Sequence, residues 1–109
     1  MSFEERRAIS RSTLQTLIAR ADGALSAGTF DNRADRHLSW LSMELDEEAW
    51  SDIRALQAET LERAQEIKAA AAARNQKRRD RNEDAAAFPA TFGALAFESP
   101  PTTYSQAKP

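Results

Sequence analysis

The side chains able to do chemistry are few in this sequence, and they sit apart. His37 is the single histidine, with Asp31 and Asp35 a few residues before it. One imidazole and two carboxylates could ligate a divalent metal. This spacing matches no established metal motif, however, and a histidine at a strand edge bonded to solvent or backbone accounts for it. Serines are plentiful, yet none lies in a Gly-x-Ser-x-Gly turn, and no second histidine is present to complete a triad. The neighbouring Glu47 and Glu48 read as helix-start charges rather than an acid–base pair. Glycines at 23, 28 and 93 cannot form a phosphate-binding loop. With no cysteine there are no disulfides, thiolate ligands or cysteine nucleophiles. The expectation is a chain that is not an enzyme, with no metal and no cofactor.

Two further features suit binding rather than reaction. Trp40 and Trp50 both fall on apolar positions, which favours a core or interface role. With His37 they could instead line an aromatic cleft for a small organic ligand, between a strand and a helix. Arg74, Lys77, Arg78, Arg79 and Arg81 form a basic cluster faced only by Asp80. Lys77, Arg78 and Arg79 could touch phosphates, which makes weak nucleic-acid binding an alternative function. No aromatic residue interleaves with them to stack on bases. The cluster therefore reads first as a solvated helix end, and direct DNA binding is not expected.

The elements that must position these residues are legible in part. Ser2 and Glu5 have the spacing of a helix capping box, and Gly28 suits the left-handed position that ends a helix. Between them Leu14, Ile18, Ala21 and Leu25 recur at steps of four, three and four, with Leu17 and Ala24 alongside, making one apolar stripe. Residues 29–36 are polar and turn-rich, with Phe30 placed to dock the loop. Over 37–45 the apolar residues alternate, then change parity near Trp40 and Leu41, which predicts a strand with a bulge or twist. Asp46 is a good N-cap for a helix that meets no Gly or Pro up to Arg79. Its apolar positions are Trp50, Ile53, Leu56, Leu61, Ala64, Ile67 and Ala71, with Gln57 and Thr60 in the same stripe. Residues 82–87 read as a loop and 88–98 as a second short strand, with Pro89 near its start. The proline-bearing stretch 99–109 is expected to be a disordered tail.

The predicted fold class is α+β and mostly helical: helix, strand, long helix, strand, with a small two-stranded sheet. Residues 1–98 would form one domain. A helical crossover between the strands would favour a parallel, right-handed connection.

Composition says what such a domain lacks. Hydrophobic residues make up 41% of the 109, but 22 of them are alanine and none is valine. Leu, Ile and Phe together number 18, which is below the ~20% at which weakly hydrophobic chains begin to resemble disordered ones. Alanine favours helix but buries little area, so a lone chain would have a thin core. The long helix would reach roughly 45–50 Å, against a radius of gyration near ~13 Å for a 100-residue globule. It must project, and a projecting helix with an apolar stripe is a pairing surface. Its predicted interface residues are Trp50, Ile53, Gln57, Leu61, Ala64 and Ile67. A net charge of −2 gives no overall attraction to nucleic acid or an acidic membrane. No apolar run approaches a membrane span and the N-terminus lacks the apolar stretch of a signal peptide, so the cytoplasm is expected.

Residues Gly28-Thr-Phe-Asp-Asn-Arg-Ala-Asp-Arg-His-Leu-Ser39 and Leu45-Asp-Glu-Glu-Ala-Trp50 carry a resemblance. In their order and spacing they resemble the C-terminal half of ArsR-like winged-helix transcriptional regulators, a likeness that extends over roughly residues 7–98. Ala49 stands where such regulators often carry glycine, and Trp40 to Met43 replace a more polar, proline-containing stretch. The resemblance implies a dimerisation and effector-sensing module without the helix-turn-helix DNA-reading half, which would precede Met1. Its partner would be a second copy or a full-length winged-helix relative. A stand-alone small-molecule binding protein is the alternative.

Overall fold

The computed structural model describes residues 1–83 and 87–101. The chain divides into two units, Met1–Met43 and Glu44–Pro109. Each is built on one helix, α1 (Phe3–Ala27) in the first and α2 (Glu47–Asp80) in the second.

Helix α1 begins where its sequence directs. The Ser2 hydroxyl accepts from the Glu5 N–H at 3.1 Å, and the Glu5 carboxylate accepts from the Ser2 N–H at 3.4 Å. This reciprocal pair satisfies two donors that the first turn leaves open. At the other end Gly28 takes φ 80°, and its N–H bonds to the Leu25 carbonyl. A side chain at this backbone conformation would be strained. The Ala24 carbonyl is satisfied by the Phe30 N–H and the Thr29 hydroxyl, which folds the chain back over the last turn. Phe30 is half-buried there, as its docking role required. The Arg36 guanidinium sits 5.9 Å from its ring centre and reaches Asp31 at 2.6 Å.

Helix α2 runs 34 residues, or about 51 Å at 1.5 Å per residue. The Asp46 carboxylate accepts from the Ala49 N–H at 2.8 Å, and Glu47 and Glu48 place negative charge in the first turn. The C-terminus closes with a Schellman motif: Glu83 N–H to Arg78 C=O and Asn82 N–H to Arg79 C=O, around Asn82 at φ 57°. Asparagine is the side chain besides glycine that tolerates this conformation best. Both helix extents agree with the reading of the sequence to within a residue or two.

The expected sheet does not form, and the α+β assignment is corrected. Among the described residues there is no strand; residues 37–45 and 88–98 are irregular. Alternating apolar residues only make a backbone suited to a strand, and a ladder partner must complete it. Two strands without a covering layer are marginal in water. Here Leu38, Trp40, Leu41 and Met43 are all exposed, as are Phe88, Phe92, Leu95 and Phe97. Neither segment has a buried face to fix its register. The loop expected at 82–87 is described at its ends, whereas residues 84–86 lie outside the described residues. So do 102–109, the greater part of the expected tail.

Removing the Asp46 cap tests how far the local signals hold the second unit. Asp46→Ala is expected to destabilise α2 by about 1 kcal/mol, read as earlier loss of helical circular dichroism on heating. An unchanged transition would show that the cap contributes nothing.

Candidate functional site

The candidate site is the apolar stripe of α2. The half-buried positions of α2 are the apolar Ala49, Trp50, Ile53, Ala64 and Ala71 and the polar Gln57, Asn75 and Arg78, while no described residue of the chain is fully buried. Residues 50, 57, 64, 71 and 78 recur every seven. That heptad interval equals two turns at 3.5 residues, the period of a helix that pairs with another. Along the same side Leu56, Leu61 and Ile67 are 58%, 56% and 52% exposed. Of the predicted interface residues, Trp50, Ile53, Gln57 and Ala64 are thus half-buried and Leu61 and Ile67 are exposed, all six on one helix.

Part of this stripe has a neighbour within its own unit. The Gln57 side-chain amide donates to the Ala94 carbonyl at 3.3 Å. Gln57 lies 23 residues before the end of α2, roughly 35 Å along the axis, so the segment after the helix returns beside it. Between them opens a groove of about 360 Å³ lined by Arg54, Gln57, Leu61, Phe92 and Ala94, among others. No spacing in the chain pointed to this contact. The aromatic cluster around Phe92 suggested a strand in a sheet, and only the fold lays it on the helix.

The remaining candidates are placed as follows. His37 is exposed, with Nε2 2.7 Å from the Ser39 hydroxyl. Asp31 and Asp35 are engaged by Arg36 and Arg33, the latter through two bonds of 2.8 Å. The hydrogen bond from Arg33, and then its charge, hold the Asp35 carboxyl below its ordinary range. A lowered acid stabilises above its unfolded value and loses that effect as pH falls through the folded one; this pair is fully exposed, so the effect is small. No group of three or more His, Asp or Glu able to hold a metal occurs among the described residues. Trp40 is 86% exposed, whereas Trp50 is half-buried in the first turn of α2.

In the basic cluster Arg78 donates to the Asn75 side-chain carbonyl and Arg79 to that of Gln76. These partners are neutral, so the last turn keeps its positive charge. Lys77 is exposed beside them. No helix among the described residues is long and apolar enough to cross a membrane.

The seating of the return segment is open to test. Gln57→Ala removes the donor to Ala94, at a cost of about 1 kcal/mol or less because the bond is exposed. The Leu95 amide shares a peptide group with that carbonyl, and its NMR resonance is expected to shift. If the Leu95 amide does not respond, the segment does not rest on Gln57.

Set against protein-family models, curated proteins and solved structures, the chain matches none of them.

Proposed function

We propose that this chain is a protein–protein pairing module without catalytic activity, the dimerisation part of a winged-helix type of transcriptional regulator. The observation that carries the pairing is the apolar stripe of α2, left without a covering layer. Leu56, Leu61 and Ile67 each stay more than half exposed on a helix of about 51 Å. Fully burying such a side chain is worth roughly 1.5–3 kcal/mol. A second polypeptide laid along the stripe would recover that stabilisation.

The regulator context has a different and separate support, the likeness of residues 28–39 and 45–50 to the C-terminal half of ArsR-like regulators. Effector sensing, within this reading, falls to the groove between Arg54, Leu61 and Phe92. The groove is open to solvent, and Arg54 supplies one cationic group for an organic anion.

Sedimentation equilibrium is expected to show more than one chain per particle at micromolar concentration. Leu61→Glu with Ile67→Glu should shift the protein towards monomer by at least tenfold in dissociation constant. A folded monomer at those concentrations contradicts the proposal. The chain alone is also expected not to bind duplex DNA. Tight binding that weakens steeply with salt and is lost in Arg78→Gln with Arg79→Gln would favour the nucleic-acid reading instead.

A further inference from the structure

The charge along α2 is divided as sharply as its apolar stripe is continuous. Residues 46–53 contain four acids, Asp46, Glu47, Glu48 and Asp52, and no base. Residues 74–81 contain five bases and one acid. Among the described residues Glu47, Glu48 and Asp52 form no ion pair. At the basic end only Arg81 has an ion-pair partner among the described residues, Glu83 at 3.8 Å. Arg78 and Arg79 are bonded to neutral amides, and Asp80 accepts from Gln76. The helix dipole does not reverse this pattern, since each charged end already complements its own terminus.

From this we infer that the partner of α2 is a second copy of the same helix lying antiparallel to it, with the two related by a twofold axis near Ala64. The inference rests on the pairing reading above and adds the occupant and its direction. About the midpoint of Glu47–Asp80, positions whose numbers sum to about 127 lie side by side. The acidic stretch 46–53 of one copy then faces the basic stretch 74–81 of the other, twice over. A parallel pair would instead set the two basic ends together and the two acidic ends together. Packed helices lie about 8–10 Å apart, comparable to the Debye length of about 10 Å at 0.1 M salt, so opposed ends attract and like ends repel.

The apolar stripe fits the same arrangement. Ala64, near the centre, is small enough to let two backbones approach closely. Trp50 of each copy comes opposite Lys77 and Arg78 of the other, where a cation over an indole face is favourable. Residues 54–61, flanked by the return segment through Phe92 and Ala94, meet residues 66–73 of the second copy. Ile67 is 52% exposed there. A twofold axis makes the surface self-complementary, as a homodimer requires.

The chain has no cysteine, so single introduced thiols report direction without background. Gln57→Cys, Ala64→Cys and Ala71→Cys would be treated, in the full chain, with a short bismaleimide. The antiparallel pair predicts cross-linked dimer from Ala64→Cys alone. It predicts little from Gln57→Cys or Ala71→Cys alone, and efficient cross-linking when those two variants are mixed. Raising salt from about 0.1 to 1 M should weaken the wild-type dimer by about tenfold, because the Debye length falls to about 3 Å. Efficient self-cross-linking at both 57 and 71, with association strengthened by salt, would overturn the direction while leaving pairing intact. A dimer that cross-links at none of the three positions would show that α2 is not the surface. A monomer throughout would remove the pairing reading itself.

Discussion

The backbone hydrogen-bond ladder of α2 is the interaction on which the second unit depends. It is closed at its start by the Asp46 carboxylate and at its end by the Schellman turn around Asn82. Thirty-four residues without glycine or proline supply it, and alanine, glutamate, glutamine, lysine and arginine dominate them. These residues lose little on entering a helix. The ladder needs no core to form its bonds, but a helix in water draws most of its stability from packing of its apolar face. With no described residue fully buried, that source is only partly used within the chain. The pairing proposal and its antiparallel form both follow from this gap between a well-capped ladder and an uncovered stripe.

The return segment has a particular place in this picture. By resting on Gln57 it covers one flank of α2 and makes a groove, yet Phe92 stays 64% exposed. It therefore narrows the uncovered face without closing it. The same segment turns an isolated helix into a surface with two walls. Such a surface is the one the proposed partner helix would lie along.

The polar groups of the loop after α1 are engaged with one another. Asp31 and Asp35 are held by Arg36 and Arg33, and His37 bonds to the Ser39 hydroxyl. The loop's features are those of a helix terminus: an αL glycine, a docked aromatic and short-range ion pairs.

Much of the helical structure was determined by the sequence alone, because its causes are local. Ser2 with Glu5, Gly28, Asp46 and the unbroken run to Arg79 each act over four or five residues, and each stands where it was read. The heptad placement of Trp50, Ile53, Gln57 and Ala64 is likewise a matter of spacing. Strands are not local. The alternation at Leu38–Leu45 and the aromatic cluster at Phe88–Phe97 favour extended backbone, but a ladder requires a neighbour that sequence spacing cannot supply. Only the tertiary structure decided that no sheet forms among the described residues and that Ala94 comes to rest on Gln57. That choice depends on which surfaces meet across 37 residues of chain, and no short-range preference encodes it.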